Sequence, residues 1–83
     1  MNSSLNADFR KLLEALPPAV QARARKQFAL WLKDHRHPSL HFKRVGAYWS
    51  ARIDRDYRVL GVMSEGTIVW FYIGPHDGYE RQI

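Results

Sequence analysis

The sequence predicts an α+β two-layer fold: an N-terminal helix hairpin packed on an antiparallel sheet of three to four strands, ended by a short C-terminal helical tail. Three observations predict it. Apolar residues recur at helical spacing as far as Asp34. Beyond Leu40 they alternate with polar ones at period two. Pro or Gly punctuates the changes of pattern. The 83 residues make one domain, taken as residues 1–83. A chain this short buries only about 60–65% of its unfolded surface, so large rings are valuable core material.

The first helix carries Leu5, Phe9, Leu12, Leu13 and Leu16 down one face, with Ser4 or Asn6 as its cap. Asp8 falls in the first turn, where the helix dipole favours an anion. Leu16-Pro17-Pro18 ends this helix, and Pro18 opens the next at a position where its missing N–H costs nothing. The second helix runs to about Asp34 with Val20, Ala24, Phe28, Trp31 and Leu32 as its apolar stripe; so short a joint implies an antiparallel hairpin. Asp34 to Ser39 is a loop, because Pro38 disfavours helix at His37.

Strand patterns follow. Leu40 and Phe42 alternate with His41 and Lys43; Trp49, Ala51 and Ile53 alternate with Tyr48, Ser50 and Arg52. Asp54-Arg55-Asp56 turns the chain. The stretches Arg58 to Met63 and Thr67 to Ile73 are apolar on nearly every residue, as strands covered on both faces or central in a sheet are. Ser64-Glu65-Gly66 between them is a hairpin turn, with Gly66 supplying a permissive backbone. Trp31, Trp49 and Trp70 fall at core-facing positions and read as packing residues rather than platforms for bases.

Thirteen Lys and Arg against eight Asp and Glu give a net charge of +5 and favour a polyanionic partner. There is no cysteine, hence no disulfide and no thiolate metal site; the absence of an apolar signal or membrane-length segment makes the cytoplasm the expected compartment and a membrane an unexpected partner. His35, His37 and His41 lie close in sequence, but a loop without paired Cys reads as solvated histidines, and neither metal nor cofactor is expected. No Gly-rich phosphate loop, nucleophile elbow or spaced acidic pair is present.

Two groups of residues invite a chemical reading. Lys43, Arg44, Arg52 and Arg58 come from successive strands or strand ends and converge if the strands pair in order. Lys43 and Arg44 also read as edge charges and Arg58 as a partner of Asp54 or Asp56; an edge role suits Arg52 less, because it faces the open side of the sheet. The tail, "GPHDGYERQI", sets His76 just past the last strand and Tyr79 three residues on, sharing its side if a helical turn follows. Imidazole handles protons near neutral pH. Cationic groups beside such a pair suit metal-free cleavage of RNA, whose 2′-OH is its own nucleophile.

Four strings, "LEALPPAVQARARKQFALW", "HPSLHFKRVG", "YWSARIDRDYRVLGV" and "VWFYIGPHDGYERQI", taken in order, resemble the RelE/ParE superfamily of toxins from bacterial type II toxin–antitoxin systems, covering the chain from about Leu12 onward. The resemblance implies neutralisation by a cognate antitoxin protein. It also implies one of two activities: a ribosome-dependent endoribonuclease acting on mRNA, or a poison of DNA gyrase, with a decayed toxin that only binds its antitoxin as a third outcome. Carried over to this chain, the nuclease pattern implies catalysis by Arg52, Arg58, His76 and Tyr79, with Lys43, Arg44 and Arg81 holding the RNA. Members of the superfamily usually begin with a strand; here only a few residues precede the first helix, leaving that strand short or missing.

Overall fold

The computed structural model describes residues 2–83. Its strands are β1 (Asn2–Leu5), β2 (Lys43–Val45), β3 (Tyr48–Arg52), β4 (Tyr57–Ser64) and β5 (Thr67–Pro75). Its helices are α1 (Ala7–Glu14), α2 (Pro18–Lys33) and α3 (His76–Gln82), with a 3₁₀ turn at Pro38–Leu40. The five strands form one sheet in the order β1-β5-β4-β3-β2. The meander β2 to β5 is antiparallel as expected. The fifth strand, β1, is an addition: it lies parallel to β5, with Leu5 opposite Trp70. Leu5 therefore serves the core from a strand and not from the helical stripe. The stripe ends there because Asn6 caps α1, its side-chain Oδ1 accepting the Phe9 N–H at 2.9 Å while its own N–H bonds the Trp70 carbonyl at 3.1 Å.

Phe9 is buried, and Leu13 and Leu16 pack beside it, whereas Leu12 and Leu32 are exposed. At the joint, the Gln21 side chain donates to the carbonyl of Leu16 at 2.9 Å, satisfying a group that the end of α1 leaves free. Val20, Ala24 and Trp31 give α2 its buried face. The helix-covered side of the sheet is an aromatic core in which the Trp31 ring meets those of Phe42 and Trp70 edge-on, at centroid distances of 5.6 and 5.7 Å, and Phe42 stacks on Trp49 at 4.9 Å. The tryptophans are packing residues.

The strand expected at Leu40 begins three residues later. His37 and Pro38 start a 3₁₀ turn instead, the His37 Nδ1 accepting the Ser39 N–H at 3.2 Å. Leu40 still reaches the core, almost wholly buried, so the apolar pattern is obeyed by a different backbone. The β4–β5 hairpin turns on Glu65 and Gly66, both at positive φ (49° and 79°), which suits the right-handed twist of the flanking strands.

The second face of the sheet has its own small cluster: Leu60, Tyr72 and Tyr79, flanked by Tyr48 and Phe71. A bulge makes this possible. Leu60 pairs with Tyr72 but Gly61 with Trp70, so Phe71 is left without a partner and joins Tyr72 on the outer side. The tail folds over this face as α3, with Tyr79 as its buried contact.

Candidate functional site

Strand register decides which charges meet. Lys43 lies opposite Ser50 across β2 and β3, and Arg52 lies opposite Arg58 across β3 and β4. All four belong to the outer face. There, Lys43, Ser50, Arg52 and Arg58 line a hollow of about 100 Å³ together with His41, His76 and Tyr79. Five of the residues read from the sequence as a site are thus brought together: Lys43, Arg52, Arg58, His76 and Tyr79.

The turn between β3 and β4 holds the two arginines. The Asp54 carboxylate accepts the N–H groups of Asp56 (2.8 Å) and Tyr57 (3.0 Å), which closes the turn. Its other oxygen pairs with Arg23 of α2 at 2.7 Å. The backbone carbonyl of Asp54 then receives the Arg58 guanidinium at 2.9 Å and Arg52 Nε at 3.4 Å. From α2, Gln27 donates to the Arg52 carbonyl at 3.1 Å. Arg58 therefore bonds the main chain of the turn and not a carboxylate. The salt bridges among the described residues are Arg23–Asp54 and His76–Glu80, so no carboxylate neutralises Lys43, Arg52 or Arg58.

The α3 side is set by the Gly74-Pro75 corner. The His76 N–H bonds the Asp56 carbonyl at 3.0 Å, tying the start of α3 to the same turn that aims the arginines. The His76 and Tyr79 rings lie 5.5 Å apart, and His76 Nδ1 is 3.3 Å from the Glu80 carboxylate. His76 is half exposed while Tyr79 is buried, so the imidazole meets solvent and the phenol forms a wall. Behind them, the Tyr72 hydroxyl sits against the Pro75 carbonyl at 3.4 Å, in a slot open only because residues 74 and 78 are glycines: a Cβ at either would land on Tyr72 Oη. Burial pushes the Tyr72 phenol above its usual range, partly offset by the nearby Arg81 charge.

Two residues read from the sequence as RNA-holding lie elsewhere. Arg44 alternates to the opposite side of β2 from Lys43, pairs in register with Trp49, and donates to the Gly46 carbonyl at 3.2 Å. Arg81 lies on α3 near Tyr72 and does not line the hollow. Two lining residues were missed. Ser50 was legible from its alternation with Arg52, and His41 from its alternation with Lys43. The other clustered histidines separate, His35 against the Trp31 and Phe42 rings and His37 at the 3₁₀ turn.

A second cavity, on the helix-covered side, is apolar; Leu5, Phe9, Phe28, Trp31 and Trp70 are among its lining residues. Among the described residues no helix is long and apolar enough to cross a membrane.

The family model for a ParE-like toxin domain matches residues 18–81. No curated protein sequence matches the chain. Among solved structures, the RelB-RelE antitoxin–toxin complex from Methanococcus jannaschii aligns with a TM-score of 0.72 at 14% identity, over 95% of this chain and 96% of that one. YafQ from E. coli aligns with a TM-score of 0.70 at 10% identity, over 94% and 96%. The RelBE2 toxin–antitoxin complex from Mycobacterium tuberculosis gives 0.61 at 25% identity, over 90% of each chain. The likenesses at 14% and 10% identity speak for the fold alone.

Proposed function

The chain belongs to the ParE-like toxin family of the RelE/ParE superfamily, and from that premise we propose that it is the toxin of a type II toxin–antitoxin pair, cutting mRNA on the ribosome without a metal. The observation that carries this reading is the single hollow shared by Lys43, Arg52, Arg58, His76 and Tyr79. Arg52 and Arg58 stand side by side on adjacent strands, and both guanidinium groups gather at the Asp54 carbonyl, a pair of cations suited to one phosphate. Lys43 adds charge along the backbone of the RNA. His76 exchanges a proton with the reacting ribose-phosphate, and Tyr79 holds its ring. The cognate antitoxin is the protein partner, as in the RelB-RelE complexes, and the cytoplasm is where the ribosomes are.

A positioned acid or base contributes roughly 10²–10⁴ in rate, and one preorganised charge contact about 10²–10³. Induced in a host without the antitoxin, the parent protein is expected to deplete ribosome-bound transcripts and arrest growth. His76→Ala and Arg52→Ala are each expected to relieve the arrest while the protein stays folded. Equal toxicity of both variants at equal expression would remove the hollow from consideration. The ParE-like description of the matching family favours a second reading, in which gyrase is the target. Double-strand DNA breaks with intact transcripts would replace the first reading by that one.

A further inference from the structure

We propose that His41 is the second catalytic residue of the hollow, moving a proton on the flank of the phosphate opposite His76. This rests on the endoribonuclease reading. In-line displacement sets the attacking 2′ oxygen and the departing 5′ oxygen on opposite sides of phosphorus. The group that takes a proton and the group that gives one must then stand on opposite flanks. His76 and Tyr79 both come from α3, their rings 5.5 Å apart, and serve one flank only.

The register supplies the other. β2 pairs with β3 so that Lys43 faces Ser50 and Val45 faces Tyr48. His41 lies two residues before β2, as the cap of the 3₁₀ turn, and enters the lining of the hollow beside Lys43. Arg52 faces Arg58, and Arg58 faces Gly74. A row crosses the sheet in the order Arg52, Arg58, Gly74, with His76 just beyond its far end, while His41 joins the hollow from the β2 side. Neighbouring strands lie about 4.8 Å apart, so the row from Arg52 to Gly74 spans roughly 10 Å of backbone, with one imidazole contributed from the β2 side and the other from α3. His41 and His76 both line the hollow that this row crosses.

The capping conformation of His41 accounts for its placement. His41 adopts a left-handed conformation, φ 45°, uncommon for a residue with a side chain. Its neighbours Leu40 and Phe42 supply the core, and the unusual residue between them lines the hollow instead. The groups around it there are Lys43, Arg52, Arg58, His76 and Tyr79, with Glu80 beside His76.

The step balances with these residues alone. The 2′-OH gives its proton to one imidazole as its oxygen bonds to phosphorus. The bond from phosphorus to the 5′ oxygen breaks, and that oxygen takes a proton from the other ring. The products are a 2′,3′-cyclic phosphate and a 5′-hydroxyl, with no water or co-reactant consumed.

His41→Gly and His41→Asn both accept the left-handed backbone, so each removes the imidazole at little conformational cost. The full-length variants are assayed in single turnover on ribosomes carrying a short message, with KM and the thermal midpoint measured alongside. Cleavage is expected to slow roughly 10²–10⁴-fold in both, with KM and thermal midpoint at the parent values. If both variants cut as fast as the parent, His41 is not catalytic and the nuclease reading stands. If the parent itself leaves the message intact, both fall together.

Discussion

Asp54 shows how one residue serves fold and site at once. Its carboxylate closes the β3–β4 turn and holds α2 through Arg23, while its carbonyl aims Arg52 and Arg58. Burial alone would push the carboxyl up, but the Asp56 and Tyr57 N–H groups and the Arg23 guanidinium outweigh it, and Asp54 titrates below its usual 3.8. A depressed carboxyl adds stability above its unfolded pKa and loses it as pH falls through the lower folded value. Asp54→Asn is therefore expected to be less stable than the parent at neutral pH and to lose less on acidification below about pH 4, as followed by unfolding at a series of pH values. At neutral pH, Asp54→Ala is expected to cost about 1.5–3 kcal/mol in denaturant unfolding, the range for hydrogen bonds to a charged group. The glycines around Tyr72 make a second test at this scale. Gly78→Ala drives a methyl group into Tyr72 Oη, so it is expected to destabilise the parent more than a Tyr72→Phe background, a coupling that thermal denaturation of the four proteins measures.

Among the elements, α3 is bound by packing as well as by its place in the site. Tyr79 closes the outer cluster over Leu60 and Tyr72. Tyr79→Ala is expected to cost about 3–5 kcal/mol of stability, whereas Tyr79→Phe keeps the ring and most of that packing. Comparing the two by denaturant unfolding separates the wall from any chemistry of the hydroxyl. The elements also divide by how far the sequence announced them. α2, β3, β4 and β5 carry long apolar patterns of clear period, and each was legible. β1 was not, because Asn2-Ser3-Ser4-Leu5 has almost no pattern of its own; pairing with β5 makes it a strand. The 3₁₀ turn was hidden for the opposite reason: Leu40 and Phe42 reach the core at the spacing of a strand although His41 between them is left-handed. Alternation places Lys43 and Arg52 on the open face, and the same rule sends Arg44 to the other side, although charge alone groups it with them.

Across the whole molecule, a net charge of +5 means that the RNA binding proposed above is expected to be salt-sensitive. Each phosphate neutralised contributes about −0.7 to the slope of log affinity against log salt on a single strand. Lys43→Ala is expected to make that slope shallower by about 0.7, whereas Arg44→Ala, on the opposite side of β2, leaves it unchanged; binding titrations across salt concentrations check both. The pairing of β1 with β5 has a consequence for birth as well as for shape. The Trp70 indole donates to Ser3 Oγ at 3.2 Å across a sequence separation of 67 residues. A growing chain therefore has no partner for its first strand until β5 has been made. His76, which borders the hollow, is added later still. The hollow therefore cannot close until β5 and the residues that follow it have emerged, however early its cationic strands are made.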